Sequence, residues 1–538
     1  MDIAGQYAHI SMEMALQGDW LQPHYMGKLY EEQPPLLFCF NALSCQLFGF
    51  NSIAYRLPSL IFWCLGVWAV YHFGKRWYNP KVGYGAALIM ASAQGAFLMI
   101  SDVGSDTLLT ALVALAFWQI SVVIHRIHEN VPLKKRLFPV FWAAMAVAGA
   151  LLSNGLIGVF SPFIAVLIYA ALNRQGRLLL QADWFFLLFF AFLAVSPFIF
   201  AFYNQHHSSL TTIASELWHY FWVQHFGHAV AKNNLETTSN FGYFFRTIIW
   251  HFLPWGIVLY VAVFQRFRDL FLFLKECNFF KNNTENSPLN RHLTYEWLSL
   301  AGFVVPFIAL SFSPYKQPSD IYVVFPMASV LVAVYYRKMV DEDLPTFRVW
   351  TAIHFFISLL LAIAAVVLCE WAFTKWWAML AAVLVFCFII YAYYRTDDPM
   401  RKLRGVAVGG MIGFNFILNV HIYPTLLTFQ AASEAGNYAK EMNIAQNLYQ
   451  DGSGGGLLGF YSNRIIPVLT IDSAMAQKQP IYFYADKNVL EIFYKHRFTQ
   501  FAIVKTFDNY PVKHPGLRFL DVDTRDSILQ KQYLLRIK

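Results

Sequence analysis

The sequence predicts a mostly helical, polytopic membrane protein: a bundle of about twelve spans, preceded by an amphipathic extracytoplasmic segment and followed by a small α/β domain. Three observations carry that expectation. Of the 538 residues, 57% are hydrophobic and 13% charged, whereas soluble domains carry about 25% charged residues. Charge-poor apolar runs recur along the chain at about twenty residues each, the length a helix needs to cross roughly 30 Å of hydrocarbon. Near Thr425 the composition changes, and residues 424–538 carry 13 Lys and Arg and 10 Asp and Glu.

Taken in order, residues 1–52 are too polar to span and too apolar to float free. Tyr7, Ile10, Met14 and Leu16 set against His9, Glu13 and Gln17 suggest a helix of mixed polarity, so the segment is expected to lie in the membrane interface. Residues 53–423 form the bundle. Its spans are expected at 53–73, 83–101, 105–125, 137–154, 156–173, 183–203, 243–264, 295–313, 319–336, 350–371, 376–395 and 404–422. With the N-terminus outside, 21 Lys and Arg fall in the inner loops, while only Lys232, Lys316 and Lys375 fall in the outer ones. The positive-inside rule then places both ends of the chain outside the cytoplasm. The net charge of +8 therefore belongs to membrane topology, and no nucleic-acid partner is expected. Residues 424–538 read as a soluble extracytoplasmic α/β domain, with a helix over 430–448, a glycine-rich turn at 451–456, and strands at Ile481–Tyr484 and Phe501–Val504.

Several chemistries are set aside by pattern. Cys39, Cys45, Cys64, Cys277, Cys369 and Cys387 show neither CxxC nor His-rich spacing, so no zinc or disulfide framework is indicated. Ser453-Gly454-Gly455-Gly456 lacks the following Lys-Ser/Thr of a phosphate-binding loop. His219, His225 and His228 invite a metal reading, yet only His225 and His228 can share a helix face, and zinc needs further ligands. Aromatic interfacial packing is the competing reading there. Asp102 and Asp106 stand four residues apart at a short outer turn, and ionisable residues at such helix ends point to function.

The ordered residues Tyr7, Glu13-Met14, Gly18-Asp19-Trp20, Gly27-Lys28, Tyr30, Glu32, Pro34-Pro35-Leu36, Leu47-Phe48-Gly49 and Arg56-Leu57-Pro58-Ser59 resemble the GT-C membrane glycosyltransferases that use polyprenyl-phosphate sugars. Among these the sequence is similar to the lipid A aminoarabinose transferases and protein O-mannosyltransferases. Ser101-Asp102-Val103-Gly104-Ser105-Asp106, Gln224-His225-Phe226-Gly227 and Ser313-Pro314-Tyr315-Lys316-Gln317-Pro318 extend the resemblance over most of residues 2–330. Family members usually carry one more helix ahead of the first loop, so either an upstream first span is expected or the first helix after the loop acts as a reverse anchor.

The resemblance implies an inverting transferase moving a sugar from an undecaprenyl-phosphate-type carrier to lipid A, an envelope glycan or a protein. It would be a monomer of the bacterial plasma membrane, with its site and C-terminal domain outside. Asp106 and Asp2 would form the catalytic acidic pair, with Asp102 beside them. Lys316, Arg56 and Gln33 would hold the donor phosphate. Glu32, Tyr7, Tyr30 and His225 would contact donor or acceptor, and Glu32 could alternatively hold a divalent metal. Where the family has cations, this chain has Gln33 and Asn154, and Asp320 replaces a common aromatic. A neutral amide hydrogen-bonds phosphate without charge, roughly halving the bond. The alternative is a catalytically weak relative that binds or moves a polyprenyl lipid.

Overall fold

The computed structural model describes residues 3–206, 215, 217, 218, 240–276, 288–313, 316–373, 375–477, 479–511 and 516–537. Helix α1 (Ile3–Gln17) is followed by a two-stranded hairpin, β1 (His24–Tyr25) and β2 (Lys28–Leu29), and then α2 (Leu36–Phe48). Met26 and Gly27 both have positive φ, 53° and 75°, as a two-residue hairpin turn of this hand requires.

Helix α3 (Ser52–Trp77) starts under an Asn51 cap, whose side chain accepts the N–H groups of Ile53 and Ala54. The bent pair α4 (Pro80–Ser92) and α5 (Gln94–Asp102) comes next, then α6 (Ser105–His128), α7 (Leu133–Asn154) and α8 (Ile157–Leu172). Helix α6 is apolar on every side and packs against α3, α7 and α8, which makes it the bundle axis. Glycine permits the closest approaches: a Cβ on Gly83 would stand 2.5 Å from the Tyr71 carbonyl oxygen, so α3 and α4 meet backbone to backbone.

Among the described residues, eight helices are long and apolar enough to cross a membrane, or nine if α4 and α5 form one bent span. Fewer of the expected twelve are thus matched among the described residues. Helix α8 has only 16 residues. The apolar stretch 243–264 breaks into Tyr243–His251 and Gly256–Glu276, where Pro254 cannot donate to a helical ladder. The next helix runs from Pro288 to Phe312. Two arginines assigned to inner loops are buried in ion pairs instead: Arg136 with Asp183 at 3.2 Å and Arg266 with Glu296 at 2.9 Å.

Residues 448–537 contain a four-stranded sheet of order β3-β4-β6-β5, with β3 (Leu448–Gln450) parallel to β4 (Ile481–Asp486). Strand β6 (Gln530–Ile537) runs antiparallel to both β4 and β5 (Phe501–Asn509). Helices Ala431–Glu441, Gly455–Ser462 and Lys487–Lys495 accompany it.

The first segment does not lie as an amphipathic helix with one wet face. His9 and Glu13 are both 0% exposed, because α1 is clasped between α2 and the helix Gly455–Ser462. A Cβ on Gly456 would fall 2.7 Å from the Gly5 carbonyl oxygen and 2.7 Å from the His9 Cβ. Gly456→Ala is expected to lower stability by about 1–3 kcal/mol, the usual cost of overpacking. A thermal melt of the purified chain, compared with Gly176→Ala, where a Cβ would meet nothing within 4 Å, checks it.

Candidate active site

The site grows from the turn between α5 and α6. Val103 takes a left-handed conformation, with φ 32°, and Gly104 caps α6. The Thr107 hydroxyl ties the turn together by donating to the Met99 carbonyl at 3.2 Å. Asp106 thereby stands in the first turn of α6, where the helix dipole favours a carboxylate.

Three further segments deliver partners to it. Helix α7 runs antiparallel to α6 and ends at Asn154, whose Nδ2 donates to Asp106 Oδ1 at 3.2 Å. The 3₁₀ turn Pro318–Val324 brings the Ser319 hydroxyl into a hydrogen bond with the same carboxylate. From the first segment, the Tyr7 and Tyr30 hydroxyls hydrogen-bond each other within the field of Asp106 and Glu32. Burial, followed by the charges of Tyr30 and Asp106, holds the Tyr7 hydroxyl well above its usual pKa, so it remains a proton donor.

Asp102, Asp106 and Asp320 interact electrostatically as neighbours. Asp320 also caps its own turn, accepting the Gln317 N–H at 2.7 Å. Tyr322, within reach of Asp102 and Asp106, hydrogen-bonds His251 Nδ1 at 2.7 Å. Among the described residues, no group of three or more His, Cys, Asp and Glu has the arrangement to hold a metal ion.

The sequence-derived candidates divide. Tyr7, Tyr30, Glu32, Asp102 and Asp106 converge. Lys316 is half-buried two residues before the turn that carries Ser319 and Asp320. Gln33 places a buried Oε1 with no hydrogen-bond partner. Arg56 is an exposed residue of α3, and no described interaction links it to Asp106. Asp2, His225, His219 and His228 lie outside the described residues.

Sequence reasoning treated Asn154 and Asp320 only as departures from a pattern, yet both belong to the cluster around Asp106. Ser319 and Tyr322 were not singled out at all. An acidic residue at the start of an apolar run, as at Asp320, was the available signal. A cation near this end is Arg246, one helical turn from Tyr243, whose hydroxyl feels both Arg246 and Asp320.

A carboxylate fixed by two hydrogen bonds at the mouth of a helical bundle can accept a proton from a bound hydroxyl. Residues 32–200 match the family model described as dolichyl-phosphate-mannose-protein mannosyltransferase. The chain resembles the GT-C glycosyltransferases of the aminoarabinose transferase group. The undecaprenyl phosphate-alpha-4-amino-4-deoxy-L-arabinose arabinosyl transferase of Aeromonas salmonicida is 28% identical over 47% of this chain and 43% of its own length. The second such transferase of Proteus mirabilis is 24% identical over 76% of this chain and 66% of its own. The crystal structure of ArnT from Cupriavidus metallidurans bound to undecaprenyl phosphate superposes with a TM-score of 0.71 at 16% identity, covering 99% of this chain and 93% of that one. The bundle and the sheet-bearing C-terminal region thus share one fold with that protein. The first of these curated relatives is matched over less than half of its length.

Proposed function

We propose that this chain is an inverting glycosyltransferase that moves a sugar from an undecaprenyl-phosphate-type carrier to an acceptor outside the cytoplasm. The observation that carries the proposal is the Asp106 carboxylate, held by Asn154 and Ser319 beneath Tyr7 and Tyr30. In the reaction, an acceptor hydroxyl oxygen attacks the anomeric carbon of the sugar. The bond from that carbon to the phosphate oxygen breaks, and polyprenyl phosphate leaves with the bonding electron pair. Asp106 takes the hydroxyl proton, and Asn154 and Ser319 keep the carboxylate aimed. Asp102 adds to the negative potential beside Asp106, which favours approach of a hydroxyl-rich acceptor. Lys316 and Arg246 balance charge building on the leaving phosphate, and Gln33 adds a neutral contact.

The 21-to-3 loop asymmetry supports a plasma-membrane protein with this site and residues 424–538 outside, acting as a monomer. Residues 1–52, 53–423 and 424–538 serve as roof, bundle and lid. Asp2, if it reaches the site, joins Asp106. Lipid A leads as acceptor, on the strength of the aminoarabinose relatives.

The test presents the purified chain in proteoliposomes with the undecaprenyl-linked sugar and, separately, lipid A, an envelope glycan or a protein acceptor. The product's anomeric configuration is read by NMR. Inversion supports the proposal, and retention contradicts it. Gln33→Lys is expected to lower the donor KM about fivefold, because a charge-assisted bond to phosphate is about 1 kcal/mol stronger than a neutral one. Unchanged donor KM would remove Gln33 from the phosphate site.

A further inference from the structure

At the other end of the bundle lies a cavity of about 490 Å³, within the size range of ligand pockets. Its position follows from the helices: α4 starts at Pro80 and leads through α5 to Asp102, whereas the helix Phe325–Asp341 begins beside Asp320 and ends past Arg337. The cavity is therefore distinct from the Asp106 site.

Its composition is graded along the helix axis. Lys81, Arg337, Arg401 and Arg404 stand at the rim against a single carboxylate, Asp398. Leu88 and Ile89, with Trp255, line the deep end, about 12 Å further along α4 at 1.5 Å per residue. The carboxylates nearby are occupied: Asp398 Oδ1 accepts the Arg401 backbone N–H at 2.6 Å, and Arg337 is paired with Asp341. Arg404 lies 5.6 Å over the Tyr84 ring and donates to the Met400 carbonyl at 3.1 Å. Among the described residues, Lys81 and Arg401 have no acidic partner, and both are exposed at the mouth.

We propose that this cavity binds an anionic phospholipid, with the phosphate at Lys81 and Arg401 and the first part of an acyl chain along Leu88, Ile89 and Val408. A phosphate-bearing group satisfies the rim cations, and an attached hydrocarbon chain satisfies the apolar depth. Basic pockets between membrane helices recognise acidic headgroups in this way. A soluble phosphate matches only the rim.

The experiment uses the full chain in nanodiscs of phosphatidylcholine with or without phosphatidylglycerol, read by thermal unfolding, together with native mass spectrometry of retained lipid. Phosphatidylglycerol is expected to raise the melting temperature, and Lys81→Gln with Arg401→Gln should weaken its retention about tenfold. Val408→Trp, which fills the cavity and keeps every charge, should lose the effect as well. Lys134→Gln with Lys135→Gln, exposed at the start of α7 and outside the cavity, should keep it. Equal retention in native and cavity variants would overturn the proposal, as would equal loss in the Lys134/Lys135 control. Full stabilisation by inorganic phosphate in phosphatidylcholine nanodiscs would assign the site to a soluble anion and overturn the lipid.

Discussion

Asp106→Asn is expected to lower kcat at least about a thousandfold while leaving the donor KM within about threefold of native. A positioned general base contributes roughly 10²–10⁴ to rate, and Asp106 does not hold the donor phosphate in this account. The substitution is nearly isosteric. Its amide oxygen can still accept from Asn154 Nδ2, which meets Asp106 Oδ1 at 3.2 Å, so the melting temperature should stay close to native. Asn154→Ala removes one of the bonds that aim the carboxylate and should cost about tenfold in kcat at unchanged fold. A full set of kcat and KM values for the two variants checks both expectations. An equal rise in donor KM for Asp106→Asn would move the residue from base to binding group.

The second large effect concerns pH and the clasp between the first segment and the C-terminal region. Glu13 is wholly buried, with Oε1 accepting the Gly27 N–H at 2.8 Å and the Gln17 amide at 3.2 Å. His9 lies 3.6 Å from the other carboxylate oxygen and edge-on to Tyr25. Burial pushes the His9 pKa down to about 4, outweighing a backbone hydrogen bond at Gly456 that acts the other way. A group whose folded pKa is depressed stabilises the fold above its unfolded value, and that contribution is lost as pH falls toward the folded value. Holding His9 neutral in place is therefore complete above about pH 6.5 and fades between there and pH 4. The full shift corresponds to about 3 kcal/mol as an upper bound. Hydrogen exchange over Ile3–Gln17 should accelerate at pH 4.5 relative to pH 7, and His9→Gln should flatten that dependence. Glu13→Ala is expected to cost about 1–3 kcal/mol at neutral pH, since it empties a wholly buried site and removes the hydrogen bond that ties the Gly27 turn to α1. Exchange that is identical at the two pH values would contradict the assignment of His9 as the sensitive group.

The helical bundle was legible because a hydrocarbon core imposes a length and a charge rule that any sequence must obey. The span count was less legible, since apolarity alone does not reveal a break. Pro254 interrupts the stretch 243–264 and α8 stops at Leu172, and both are local backbone events inside hydrophobic sequence. The first segment was read as amphipathic because His9 and Glu13 are polar, but Glu13 accepts the Gly27 N–H and His9 is enclosed against Tyr25. That burial is completed by a tertiary contact from Gly455–Ser462, more than 400 residues away, which no local pattern reveals. At the site, Asp106 stood out through its position at a helix end. Asn154, Ser319 and Asp320 arrive from the ends of other elements, so no local spacing could reveal that they meet. For Arg56 the sequence could not say which face of α3 it takes, because a cation near a helix start is compatible with either, and the fold leaves it exposed.

The central claim is tested most directly by incubating proteoliposomes of the native chain with a radiolabelled undecaprenyl-phosphate sugar and lipid A, then counting label in the acceptor fraction. The account predicts label in the acceptor, release of unlabelled polyprenyl phosphate in equal amount, and neither in Asp106→Asn vesicles. Donor binding without label transfer, the same in native and Asp106→Asn samples, would contradict the transferase and leave a lipid-binding relative in its place.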